Sequence, residues 1–399
     1  MDQSLSCPSS VGAGDNPRTT PRAWLAVAAA AVGIFTLVTA EMLPVGLLTL
    51  VSGSFGISEG QAGLMVTLPG VVAAFASFLV PLAAGSLDRR KLLAGLVALL
   101  VVANVVSFLA PSFTILLASR FVVGICIGGF WSIAGGLSMR LVPPASVPRA
   151  TAMIFGGIGA ASILGIPAGT LLGELGGWRV AFAAVAGLSL VVFLALSLFL
   201  PALPPTRPVS VRQLRAQWHI AGVRGGLIAT FLMVVGQFGA YTFISPALQT
   251  LSGIDVGLIG PLLLGYGAAG LFGNFIAGVF AGRNATRTLL VINIALMAIM
   301  VTFALLGRTP IGGIAVLALW GVFWGGVSVS LQNWIMKSAP DTAEAATSLW
   351  SAIFNISIAL GAAVGGVIVD WVAIDGIFWL ASAFFLMAAA LAASARRAA

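Results

Sequence analysis

Residues 85–110 read GSLDRRKLLAGLVALLVVANVVSFLA, a glycine turn and a cluster of charge followed by an apolar run from Leu92 to Ala110. A helix that crosses ~30 Å of hydrocarbon needs ~20 such residues, so this run has the length of one membrane crossing. Residues 282–290 read GRNATRTLL, and the pattern returns at an offset of 197. Gly85 meets Gly282, Arg90 meets Arg287, and Leu92-Leu93 meets Leu289-Leu290. The same offset brings Gly124, Gly128 and Gly129 onto Gly321, Gly325 and Gly326. It also brings Arg140 and Pro143 onto Lys337 and Pro340, and Gly169 onto Gly366. One constant offset across four apolar runs implies two related halves.

The rest of the chain has the same character. Of 399 residues, 60% are hydrophobic and 8% charged, where soluble domains carry about 25% charge. Crossings are expected at 23–50, 61–84, 92–110, 114–140, 150–173, 179–200, 223–249, 257–281, 288–306, 311–337, 343–370 and 376–395. The fold class is therefore all-α integral membrane, with 12 transmembrane helices in two six-helix halves. The domains read as a disordered cytoplasmic tail at 1–22, an N-terminal half at 23–200, a cytoplasmic linker at 201–222 and a C-terminal half at 223–399. The tail has no apolar core for a signal peptide, and Asp2 excludes N-terminal myristoylation.

An even number of crossings puts both termini on one side. With that side inside, only Arg179 and Arg308 lie outside and Arg120 lies within a crossing, which leaves 16 of the 19 lysines and arginines inside. This asymmetry sets orientation. The net charge of +8 is thus topological, and nucleic acid is not an expected partner. Cys7 and Cys126 have no disulfide or zinc spacing, and His219, the one histidine, sits in the linker as a solvated residue. No phosphate-binding loop, metal cluster or nucleophile signature is visible, so neither an enzyme nor a cofactor is expected.

Charged residues within a bilayer are costly, and two stand out: Glu41 in the first crossing and Arg120 in the fourth. At 1.5 Å per residue Glu41 lies roughly 14 Å and Arg120 roughly 9 Å from the outer helix ends, close enough in depth for a bridge, direct or through water. Burial favours a neutral carboxyl and a guanidinium favours an ionised one, so the pair suits proton exchange. The alternatives are a static pair, or a Glu41 that caps a helix broken near Pro44. In the seventh crossing Gln237, Tyr241, Ser245 and Gln249 recur every four residues and draw a polar stripe suited to an uncharged ligand. Trp320 and Trp324 share a face of the tenth, Trp131 lies at nearly the helical angle of Arg120, and Asn355 sits midway along the eleventh. These are the candidate substrate contacts, although aromatics also pack helices. Gly157, Ala161, Gly165, Gly169 and Gly173 form a small-residue stripe with Pro167 inside it, read as a close-packed rocking interface or as static packing. The loop with Gly85, Asp88, Arg89 and Arg90 can make charge-assisted bonds to neighbouring helix ends, and at the repeat position of Asp88 stands Ala285.

That loop resembles the conserved loop motif of the major facilitator superfamily. Leu116-x-x-x-Arg120-x-x-x-Gly124 is similar to the fourth-helix motif of its drug/proton antiporters, and Gly165-Ile166-Pro167-Ala168-Gly169 to their fifth-helix antiporter motif. Thr39-Ala40-Glu41-Met42-Leu43-Pro44-Val45-Gly46-Leu47-Leu48, Arg89-Arg90-Lys91-Leu92-Leu93, Phe130-Trp131-Ser132-Ile133 and Ile353-Phe354-Asn355 resemble bacterial sugar efflux transporters. The resemblance implies proton-coupled export of a sugar or drug-like molecule from a bacterial cell by a protein that usually acts as a monomer. Its relatives export chloramphenicol, nucleosides and other drugs. Proton-coupled or passive uptake of a small neutral solute is the alternative.

Overall fold

The computed structural model describes residues 20–134, 136–204 and 216–398. Most of the tail expected at 1–22, and residues 205–215 of the expected linker, lie outside them. Helix α1 (Pro21–Phe55) starts on a capping Thr20 with Pro21 in its first turn and stops at Gly56, whose φ of +63° most residues avoid. Its 35 residues make it roughly 52 Å long, more than the hydrocarbon needs. Then come α2 (Glu59–Ala84), α3 (Arg89–Leu109), α4 (Phe113–Ala134) and the short α5 (Leu137–Leu141). They are followed by α6 (Val147–Ala160), α7 (Ile166–Gly176) and α8 (Trp178–Phe199). The second half contains α9 (Ala221–Tyr241), α10 (Ile244–Thr250), α11 (Ile259–Leu306), α12 (Pro310–Gly325), α13 (Val327–Ser338), α14 (Ala343–Trp371) and α15 (Gly376–Ala398).

Eleven helical stretches are long and apolar enough to span a bilayer. One of them, Val256–Leu306, has 51 residues and would reach roughly 77 Å if straight, over twice the hydrocarbon thickness. It folds at Asn284, where φ −149° and ψ 95° leave the helical region, and so makes two crossings. The twelve expected crossings are all present. Asn284 also supplies what Ala285, the counterpart of Asp88, lacks: its side chain accepts from the Arg287 N–H at 2.9 Å, as Asp88 accepts from Arg90 at 2.7 Å. The second copy keeps the helix cap one position before Ala285.

Several crossings are interrupted where sequence chemistry demands it. A π turn at Ala161–Gly165 lies just before Pro167, whose ring would otherwise crowd the carbonyl four residues back. The seventh crossing breaks between Tyr241 and Ile244, just before Pro246, and the tenth at Gly326. Large apolar side chains line the periphery. On α11, Phe272, Phe275, Ile276, Val279 and Phe280 form one exposed stripe at helical spacing, a surface that lipid covers and water would not tolerate.

Within the first half α1 packs on α6 to α8, α2 on α4 and α3 on α8; within the second α11 packs on α12 and α15, and α9 on α14 and α15. The halves meet at the end away from the termini. There α2 runs against α14, with Gly63 under the ring of Phe243 and Gly70 against Ala359. On the other flank α7 meets α11, with Gly260 against Leu171 and Gly267 against the backbone of Ser162 and Ile163. Gln249 joins them in the middle, donating to Thr49 at 3.2 Å.

Candidate functional site

Pro44 sits inside α1 and has no N–H to give the carbonyl of Ala40, four residues back. In hydrocarbon such a group needs another donor. Arg120 supplies it: its Nη1 donates to the Ala40 oxygen at 3.0 Å. The Nη2 atom donates to Ser107 Oγ at 2.8 Å and to Asn104 Oδ1 at 3.3 Å, both from α3. Ser119 and Ser107 share a 2.7 Å bond, and the guanidinium lies 4.8 Å from the ring centre of Phe182. Arg120 is fully buried.

Of the bridge expected between Arg120 and Glu41, direct or through water, the direct form is not made. Among the described residues one salt bridge occurs, Arg308 to Asp375 at 3.9 Å. The guanidinium is turned instead to the proline-freed carbonyl, so it holds the peptide unit joining Ala40 to Glu41. Nor is Glu41 a helix cap, because α1 is helical on both sides of Pro44. Glu41 is buried, and its Oε1 has no hydrogen-bond partner. It projects about 200° around α1 from Thr39, which faces Gly165 of the fifth crossing.

The predicted polar stripe divides in two, because the backbone breaks between its second and third members. Gln237 and Tyr241 join an aromatic cluster, while Ser245 bonds Gln249 at 3.1 Å in the seam between the halves. In the cluster Gln237 is fixed at both ends: its Oε1 accepts from Trp320 Nε1 at 2.7 Å and its Nε2 donates to Tyr266 Oη at 2.9 Å. Tyr266 stacks on Tyr241 at 4.9 Å. Tyr241 and Trp324 each meet Phe238 edge to face, at 6.3 and 6.4 Å. Trp320 is fully buried and supports Gln237 from behind, whereas Trp324 is half-buried. The sequence reading missed Tyr266, although the chain has only two tyrosines and they stack. It also missed Asn104 and Ser107, whose signal was polar residues one turn apart in α3 at the depth of Arg120, together with Ser119 of α4 and Phe182 of α8.

The remaining candidates are elsewhere. Trp131, half-buried, lies 6.0 Å from Phe155 in the first half, apart from fully buried Arg120. Asn355 donates to the Ser351 carbonyl at 2.9 Å, beside Gly70. Gly157, Gly165, Gly169 and Gly173 face α1 of their own half, against Ala31, Thr39, Leu43 and Leu47. The seam with the other half runs along a different face of that crossing, through Ser162 and Leu171. In the loop, Gly85 takes a φ of +46°, and both Asp88 oxygens accept the Leu203 N–H at 3.1 Å. Arg90 donates to the Ser197 carbonyl and the Arg89 N–H to Leu203. Partial burial works to raise the Asp88 pKa, but the bonds from Leu203 and Arg90 and the charges of Lys91 and Arg90 outweigh it and hold it below the usual range.

The sequence profile described as Major Facilitator Superfamily matches residues 30–346. Among curated proteins, the chain is 35% identical over 386 residues to Pseudomonas aeruginosa "Transcription regulatory protein OpdE", covering 95% of each. It is 33% identical over 368 residues to Escherichia coli K12 "Purine ribonucleoside efflux pump NepI", covering 92% of this chain and 93% of that one. Among solved structures it matches a bacterial homologue of the human lysosomal transporter Spinster, inward-facing and occupied, with TM-score 0.71, 17% identity and coverage of 96% and 98%. The human organic anion transporter MFSD10 matches with TM-score 0.67, 16% identity and coverage of 94% and 100%. Those two likenesses bear on fold alone. With the profile spanning most of the chain, and twelve crossings in two six-helix halves, this protein belongs to the major facilitator superfamily of multi-pass membrane transporters.

Proposed function

We propose that this chain is a proton-coupled exporter of small molecules, working by alternating access in a bacterial plasma membrane with both termini cytoplasmic, as a monomer. The observation that carries the reading is Glu41, a buried carboxyl with an unpartnered oxygen, on a helix whose peptide unit at that position is held by a buried arginine. Such a group is expensive in a membrane unless it is used, and a proton is the cargo it can hold. Arg120 acts by fixing the backbone that carries Glu41. Substrate rests against Tyr241, Tyr266 and Trp324 of the second half, with Gln237, held by Trp320, as the hydrogen-bonding group, and is met from outside that cluster by Trp131 and Asn355. Gly85, Asp88, Arg89 and Arg90 form the cytoplasmic gating loop. The likeness to a purine ribonucleoside efflux pump supports export and adds nucleosides to the sugars and drug-like compounds as substrates. An aromatic wall suits a planar base better than a bare sugar.

The test uses purified protein in liposomes with a pH-sensitive dye inside and an imposed proton gradient. Inosine, arabinose, a thiogalactoside and chloramphenicol are added in turn, with Glu41→Gln as control. One compound is expected to release protons through the wild type and not through the variant, which still folds. If labelled substrate crosses while the dye stays unmoved, the protein is a passive facilitator. Substrate and protons moving in the same direction would make it an uptake symporter.

A further inference from the structure

At the end away from the termini, each flank of the seam between the halves contains one carboxylate that reaches across to a helix start in the other half. On the first flank Asp370, at the end of α14, accepts from Ser58 Oγ at 2.6 Å and from the Gly60 N–H at 3.0 Å. Ser58 and Gln61 form a capping box at the start of α2, with the Gln61 N–H on Ser58 Oγ at 3.0 Å and the Ser58 N–H on Gln61 Oε1 at 3.3 Å. Asp370 therefore takes a first-turn N–H that the box leaves free, at the positive end of the helix dipole. On the second flank Glu174, near the end of α7, accepts from the Gly260 N–H at 3.4 Å, at the start of α11. Gly60 is the second residue of α2, and Gly260 the second residue of α11, which a 3-10 turn at Val256–Leu258 capped by Asp255 leads into. A side chain at Gly60 would collide with the Asp370 carboxylate and the Gly366 carbonyl, and one at Gly260 with Leu171.

The two flanks correspond further. Each has a second acid at the start of its receiving helix, near enough for charges to interact: Glu59 beside Asp370 and Asp255 beside Glu174. Like charges facing each other across a seam favour separation, and the helix-start bonds oppose it alongside the helix packing and the Gln249–Thr49 bond. Capping each helix within its own half would need no residue from the opposite half. Both flanks use one.

We propose that Asp370 and Glu174 are paired latches that hold the far end of the transport pathway shut, and that both release when the halves rock to open that end. They are positioning residues of the transport cycle and touch neither substrate nor proton. The inference requires only the transporter fold, so it stands or falls independently of proton coupling and of flux direction.

The test places one reporter cysteine at Ser245, which is buried inside the seam beside Gln249, in a background with Cys7 and Cys126 replaced by serine. An impermeant maleimide is applied from the far side of sealed vesicles without substrate, and the labelling rate is read. Loss of one latch, by Asp370→Ala or Glu174→Ala, is expected to raise the rate about five-fold, and loss of both more than either alone. Asp370→Asn keeps an acceptor for the Gly60 N–H and is expected to fall between wild type and Asp370→Ala, which gives a reading if the alanine variant does not fold. Asp370→Glu is expected to restore slow labelling. An unchanged rate in the folded double variant, or in Asp370→Asn should that alone fold, overturns the proposal.

Discussion

Arg120 and Pro44 read as separate oddities in the sequence, a charge in a membrane and a proline in a helix, and they answer each other in the structure. The proline leaves the Ala40 carbonyl without its donor, and the guanidinium, with several N–H groups in one plane, serves that carbonyl, Asn104 and Ser107 together. A lysine ammonium has no such fork, so Arg120→Lys is expected to cost about 2 kcal/mol of stability, read as a lower unfolding temperature in detergent. A second comparison isolates the carbonyl. In an Arg120→Ala background, Pro44→Ala returns an N–H to Ala40 and is expected to recover about 1 kcal/mol, a gain absent from the wild type. Equal effects of Pro44→Ala in both backgrounds would separate the arginine from the proline.

Helix approach is set by glycines, though only by some of them. Gly273 of α11 lies so near α12 that an added methyl would run into the backbone of Val322. Gly159 of α6 has open space around its missing side chain. Gly273→Ala is therefore expected to destabilise by about 1–3 kcal/mol through forced separation of two helices. Gly159→Ala is expected to be neutral or to stabilise by up to about 1 kcal/mol, through the better helix propensity of alanine. Thermal unfolding of the two variants side by side checks this, and similar losses in both would mean that glycine serves the backbone and not the packing. The same contrast explains the fifth-crossing stripe, whose close contacts all belong to α1.

At the scale of the whole molecule, two six-helix bodies touch at one end and are joined by one covalent segment. Asp88 marks where that segment leaves the first half, since it caps α3 and holds the Leu203 N–H. Its folded pKa is depressed, so its contribution is fully present above the unfolded value near 3.9 and is lost as pH falls through the lower folded value. Asp88→Asn is expected to be less stable than wild type at pH 7, with the difference closing below about pH 4. A difference that stays constant across that range would mean that the carboxylate charge is not what holds the segment.

The sequence by itself determined the twelve crossings, the two halves and the singular positions of Glu41 and Arg120. Those features follow from hydrocarbon thickness, the cost of buried charge and a constant repeat offset, all of which are local or periodic in the chain. Which face of each helix meets which neighbour was decided only by the tertiary structure. Periodicity placed Ser245 and Gln249 in line with Gln237 and Tyr241, but the break before Pro246 rotated them into the seam between the halves. Similar depth suggested a bridge from Arg120 to Glu41, direct or through water, and the structure turns the guanidinium directly onto the freed Ala40 carbonyl. Tyr266, Asp370 and Glu174 were ordinary until the fold brought them across to partners 29, 310 and 86 residues away. Contacts of that kind depend on how helices rotate and tilt against one another, and no single helix encodes its own rotation.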